Sequence, residues 1–268
     1  MSPRRSRRFL ENRTYHVTHR CYNREFRLKF AIDRTCYRRR LFEMTNIYNV
    51  TVLDYVITSN HVHLLLWSDT PDMLSEGMRF LQGSFAQDYN RRTGRSGSFW
   101  SGRFHATLIQ DGCHLSRCLF YIDLNMVRNK AVRHPAEWEW CGYHELVGSR
   151  QRYRILNLDS LFRKLGMEHT SHAAFVDWYE RTLVDKISRR DLMEREGFWS
   201  EATAVGDVEW VRKIAGGIAG GRFQVLPVEY AQLPASNAIP LELQEQRSAY
   251  VLSASHILND IKKALKAS

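Results

Sequence analysis

The part of the sequence that most narrows the fold is a pair of apolar runs, VTVLDYVIT (50–58) and HVHLLLW (61–67). They are separated only by the polar residues Ser59 and Asn60. Two strand-length runs with so short a break predict a β-hairpin. The second run is apolar enough to predict a central place in the sheet. Before it, RTYHVTHRC (13–21) alternates and predicts a strand with Tyr15, Val17 and His19 on one face. From Asp33, a suitable N-cap, to Tyr48, the apolar residues Tyr37, Leu41, Met44, Ile47 and Tyr48 recur at helical spacing.

After the hairpin, residues 71–92 return to helical periodicity, with Pro71 at the start and Met73, Leu74, Met78, Leu81, Phe85 and Tyr89 on the apolar face. A Gly/Ser/Arg loop (93–98) precedes FWSGRFHATLIQ, whose end reads as a strand, and DGCHLSRCLFYIDLNMVRN (111–129) reads as a helix. The first six elements follow the order βαββαβ of the ferredoxin-like α+β fold, an antiparallel sheet with helices on one face. The helix over 111–129 is added to it. The domain plan is a basic arm (1–12), a compact domain (13–148) and a mainly helical C-terminal region (149–268) of unassigned role. Helices are predicted over 158–165, 175–187 and 208–214, with a basic one over 253–266. The Gly-, Ala- and Pro-rich stretch 215–240 reads as loop or disorder.

Charge narrows the partner. The whole net charge of +10 sits in residues 1–40, which hold 13 Lys and Arg against 3 Asp and Glu. Twelve of those cations are Arg, whose forked guanidinium suits phosphates and base edges. A nucleic acid is the leading partner and an anionic membrane surface the second. Integral membrane proteins are excluded as a class, because no apolar run approaches the ~20 residues that span a bilayer. The Arg-rich start lacks the apolar core of a secretory signal. The five Cys form no CxxC pair, which disfavours a disulfide or zinc framework and makes a reducing cytosol the expected setting.

Two features carry chemistry. His61 and His63, two apart on a strand, put both imidazoles on one face, where they can share a metal ion. Burial of two such groups in so apolar a run is costly without a partner. Tyr121 and Asn125 stand four apart on the predicted helix and point into one space. A tyrosine can attack a phosphodiester, but an ordinary pKa near ~10 means that it needs a metal or a base.

In this order, HVH, GSFWSGRF (97–104), YIDLNMVR (121–128) and WCGY (140–143) resemble the IS200/IS605-type Y1 transposases. The nearest branch by these motifs is the REP-associated tyrosine transposases. The resemblance covers about residues 13–148. It departs from that branch at Met126, at Asn129-Lys130 and at His105, none of which is a proposed catalytic group.

The resemblance implies an HUH endonuclease that cuts and transfers single-stranded DNA at hairpin-forming palindromes. Tyr121 would form a 5′-phosphotyrosine link, and His61, His63 and Asn125 would hold Mg²⁺ or Mn²⁺. It also implies a bacterial, nucleoid-associated protein. Arg4, Arg5, Arg7, Arg8, Arg13, Arg20 and Arg103 are candidate DNA contacts, and Trp100 a candidate stacking residue. Family relatives include dimers whose sites pair His and Tyr from different subunits, so monomer and homodimer stay open. Two other readings compete. One is a non-catalytic hairpin-binding regulator derived from a transposase. The other is a metal-independent phosphoesterase with two His-x-Thr/Ser motifs, for which His16-Val17-Thr18 and His105-Ala106-Thr107 are the strand-borne pair. Residues 150–268 folding over the DNA groove would make the C-terminal region autoregulatory.

Overall fold

The computed structural model describes residues 9–217, 223–229 and 248–254. Arg4, Arg5, Arg7 and Arg8 lie outside the described residues, as do 255–266 of the predicted basic helix. The N-terminal elements are β1 (Arg13–Arg20), α1 (Ala31–Tyr48), β2 (Thr51–Ile57), β3 (His61–Ser68), α2 (Pro71–Thr93) and β4 (His105–Ile109). Their sheet order is β2-β3-β1-β4 with every neighbour antiparallel, the ferredoxin-like arrangement expected from the pattern. The β2–β3 turn is locked by one side chain. Thr58 Oγ1 donates to the His61 carbonyl at 2.8 Å and accepts from its N–H at 3.1 Å.

Strand alternation separates two faces. On one, His19 of β1 stacks on Trp100, whose ring meets Tyr37 of α1 and Phe85 of α2. Helix α2 starts on the cap of Thr70, which accepts from Met73 N–H, with Pro71 in the first turn where its missing N–H costs nothing. It lies close to α1 because residue 77 is glycine: a Cβ there would sit 2.8 Å from Val50 Cγ2 and 3.2 Å from Met44 Cγ.

The opposite face receives α3 (Cys113–Asp123), which packs against β2, β3 and β4. The helix predicted over 111–129 is interrupted at Leu124 (φ −76°, ψ 1°) and resumes as α4 (Asn125–Arg128). The cause is visible. The Tyr121 carbonyl, which an unbroken helix would offer to the Asn125 N–H, accepts instead from the Arg128 guanidinium at 3.2 and 3.3 Å.

Beyond Asn125 come the short α5 (Tyr143–Leu146), then α6 (Leu158–Leu165), α7 (His172–Ser188), β5 (Ala204–Gly206), α8 (Val208–Gly217), β6 (Phe223–Glu229) and β7 (Ser248–Ala254). The three predicted helices of this region are present. The strands are additions. β5 joins β4 in parallel, and β7 and β6 follow antiparallel, so the sheet among the described residues has seven strands. Residues 223–229, inside the stretch read as loop or disorder, are therefore ordered by pairing. Residues 218–222 and 230–240 of that stretch lie outside the described residues. The C-terminal region also shares its core with α3: Phe120 stacks on Tyr179 at 5.2 Å, and Tyr179 Oη donates to Asp123 at 2.5 Å.

Candidate active site

Four sequence-selected residues meet on the α3 face of the sheet. His61 and His63 share that face of β3, with ring centroids 5.0 Å apart. The Tyr121 ring is 6.2 Å from that of His63. The helix break turns Asn125 inward, and its Nδ2 lies 3.1 Å from His63 Nε2. All four line one cavity of about 610 Å³, and all come from a single chain.

The ring protons can be deduced from what lies behind each imidazole. His16 Nδ1 lies 2.8 Å from the Trp199 carbonyl, which only accepts, so Nδ1 carries the hydrogen. Burial pushes His16 down to about 3, so its ring is neutral and Nε2 is an acceptor. His63 Nδ1, 2.8 Å away, must then donate to it, which leaves the His63 Nε2 lone pair facing the cavity. His61 Nδ1 likewise donates to Asn60 Oδ1 at 2.7 Å and to Thr58 Oγ1 at 3.0 Å, which leaves its Nε2 as an acceptor. Burial and the nearby Arg20 and Arg128 lower His61 to about 3, and burial with the neighbouring His61 and His16 drives His63 well below its ordinary value. Two neutral imidazoles, each with Nδ1 held from behind, form the usual arrangement of metal-ligating histidines.

Tyr121 is 3% exposed, and its ring lies under the Arg128 guanidinium at 4.0 Å. Burial raises its pKa, and Arg128 opposes that rise. The cavity is strongly cationic: Arg20, Arg24, Arg103, Arg128 and Arg195 line it, against one carboxylate, Glu201. Such a wall selects an anion such as a phosphodiester.

One wall was not foreseen. Arg195, Ser200 and Glu201 belong to the C-terminal region, and Arg195 pairs with Glu201. The segment is latched to the sheet and to α3. Arg117 of α3 donates to Glu196 at 2.7 Å, Trp199 Nε1 donates to the same carboxylate at 2.6 Å, and the Trp199 carbonyl also receives Thr107 Oγ1 at 3.0 Å. Trp199 further packs on Tyr121, with ring centroids 5.9 Å apart. The C-terminal half thus belongs to the site, and removing it at Gly148 would strip the core from α3 as well as the wall.

Other assignments need correction. Trp100 does not offer a stacking face: it is buried, lies flat on His19 at 4.2 Å and donates its Nε1 to the Gln82 carbonyl at 3.1 Å. Arg13 lies at the opposite end of β1 from Arg20 and lines a different, smaller cavity beside Asp111 and Trp210. Arg20 and Arg103 do reach the site. The two His-x-Thr motifs are also occupied otherwise, since both nitrogens of His16 are engaged and His105 Nε2 contacts Thr107 Oγ1 at 3.1 Å and the Ala202 carbonyl at 2.9 Å. His16 was missed as a supporting residue of the site. Its sequence signals were the His16-Val17-Thr18 motif, read there for a different chemistry, and the alternation that puts it on the same strand face as Thr18; the structure adds that Thr18 pairs directly with His63.

Residues 9–125 match the sequence model of the family described as transposase, IS200-like. Over that stretch the chain is similar to this family, in line with the resemblance drawn from the motifs. Among solved structures, a REP-associated tyrosine transposase bound to a REP hairpin is similar at 19% identity, over 55% of this chain and 86% of that one, with a TM-score of 0.47. A putative transposase from Deinococcus radiodurans is similar at 14% identity, over 38% and 83%, with a TM-score of 0.30. No curated protein matches the sequence. No helix among the described residues is long and apolar enough to cross a membrane.

Proposed function

We propose that the chain cleaves single-stranded DNA and transfers strands at hairpin-forming, REP-like sequences, with Tyr121 as the nucleophile. The observation that carries this reading is the meeting of Tyr121, His61, His63 and Asn125 in one cavity walled by five arginines. The Tyr121 oxygen attacks phosphorus in line, the P–O3′ bond breaks, and the 3′ oxygen leaves as a hydroxyl. The phosphate stays on the tyrosine as a 5′ ester. A second 3′-hydroxyl reverses the exchange, so ester energy is conserved and no nucleotide cofactor is consumed.

Among the described residues there is no group of three or more His, Cys, Asp or Glu that could hold a metal. The donors present are the Nε2 atoms of His61 and His63 and the Asn125 amide, a set that fits a cation only if the bound phosphate completes it. They would hold Mg²⁺ or Mn²⁺, which when bound polarises the scissile phosphate and lowers the cost of ionising the tyrosine. His63 Nε2 now accepts from the Asn125 amide, so Asn125 must turn its Oδ1 inward to act as a ligand. The arginines bind the phosphate and stabilise the charge that grows on it.

One observation favours a quiescent ground state: Tyr121 lies under Trp199 and Arg128 with 3% of its surface exposed. A hairpin-binding regulator is the second reading it supports. The test incubates the protein with hairpin-bearing single-stranded DNA and Mn²⁺ or Mg²⁺, then resolves it on a denaturing gel. A covalent adduct lost in Tyr121→Phe and in EDTA supports cleavage. Tight binding without adduct supports the regulator, and metal-independent hydrolysis the phosphoesterase.

A further inference from the structure

We propose that the loop between β1 and α1 together with the first residues of α1, residues 22–32, is a second contact surface for the substrate strand, on which unpaired bases stack beside the cavity. The inference rests on the reading of the cavity as a site for single-stranded DNA. The loop, YNREFRLKFAI, interleaves aromatic and basic residues, and it leaves Tyr22 44%, Phe26 64%, Phe30 60% and Ile32 54% exposed. Four large apolar side chains so close in sequence exceed the scattered exposure that any surface shows.

Their exposure is not the result of a loosely held loop. Leu28 is fully buried, and its N–H donates to the Ser59 carbonyl at 2.9 Å. Arg27 reaches under the loop to the Ser98 and Phe99 carbonyls at 2.5 and 3.3 Å. Arg34 donates to the Leu28 and Lys29 carbonyls at 2.8 and 2.7 Å, and Asn60 donates to the Arg24 carbonyl at 3.0 Å. Buried cations and one leucine therefore pin the backbone while the aromatics face outward.

Charge and continuity select the occupant. Lys29 sits over the Phe30 ring at 4.8 Å, and the one acidic side chain within the loop, Glu25, is paired with Arg27 at 2.9 Å. Arg24 of this loop lines the cavity, as does Arg20 just before it, so the loop borders the site at a cationic edge. Aromatic rings set among cations match the stacked bases and charged backbone of a single strand. Because every base has a π-face, this surface adds affinity rather than sequence preference.

The test uses the full-length Tyr121→Phe protein, so that no cleavage intervenes, and two fluorescent probes. One is a DNA hairpin carrying an unpaired extension of about ten nucleotides and the other is the bare hairpin. Adding Phe26→Ala and Phe30→Ala should weaken binding of the extended probe about tenfold and leave the bare hairpin within about twofold. Phe26→Tyr with Phe30→Tyr keeps the ring faces and should restore affinity. Unchanged affinity for the extended probe overturns the proposal, as does an equal loss on both probes. So does a change of mass in light scattering without any change in DNA affinity, which assigns the patch to a second copy of the chain. Failure of the parent protein to bind either probe overturns the underlying reading of the cavity as well.

Discussion

At the scale of single residues, the site is organised by hydrogens behind the imidazoles. The relay from His63 Nδ1 through His16 to the Trp199 carbonyl holds one ring nitrogen open toward the cavity. His16 does not line the cavity, so it acts as a positioning residue. Replacing it with alanine should shift the Mn²⁺ concentration for half-maximal cleavage upward by about 10-fold or more, the usual effect of losing a group that orients a metal ligand. DNA affinity measured in EDTA should stay unchanged. An unaltered Mn²⁺ curve would show that the relay does not orient His63. Alternation in RTYHVTHRC predicted which face His16 occupies. It carried no sign of a relay, because the acceptor lies 183 residues away.

At the scale of elements, the break between α3 and α4 is what brings Asn125 against His63. Arg128 holds that break through the Tyr121 and Leu192 carbonyls and covers the tyrosine ring. Arg128→Met should abolish the adduct and lower stability by about 1–3 kcal/mol, because buried carbonyls lose their donor. Urea unfolding beside the gel assay checks both effects. The hairpin, the two helices and β4 were legible because each has a strong period and a clear end. The break was not, since NMVR continues the helical pattern of the residues before it. Nor were β5 to β7 legible, for β5 has three residues and β6 contains Pro227; their pairing depends on the open edge of β4.

At the scale of the whole molecule, the C-terminal region is bound into the domain by a buried polar seam. Asp54 of β2 is fully buried, and its carboxylate meets the Tyr55 backbone N–H but no side-chain hydrogen-bond donor. Burial, with Asp123 nearby, drives its pKa well above the ordinary carboxylate range, so the folded chain holds a proton there that the unfolded chain releases. A native-state pKa raised above the unfolded value of about 3.9 means that stability falls as pH rises toward the native pKa, by at most about 1.4 kcal/mol per pH unit. His16, His61 and His63, lowered by burial, act in the opposite sense up to about pH 7.5, because in the unfolded chain they titrate near 6.5. The contribution of Asp54 is therefore read as a difference from a variant. Urea titrations between pH 5 and 8 should show the stability of the wild type falling, relative to that of Asp54→Asn, as the pH rises. Identical slopes would contradict the assignment.

The same scale decides what the uneven charge is for. The N-terminal cations include Arg20 and Arg24 in the cavity wall, and Arg103, Arg128 and Arg195 come from later in the chain. The cationic cavity is thus assembled by folding rather than by the arm alone. The central claim is that this cavity makes a tyrosyl ester at one residue. Mass spectrometry of tryptic peptides, after trapping the wild type on a hairpin substrate with Mn²⁺ and digesting the DNA with nuclease, tests it directly. The account predicts a 5′-linked nucleotide on Tyr121 and on no other tyrosine. A nucleotide on a different side chain, or cleavage products with no modified peptide, would contradict it.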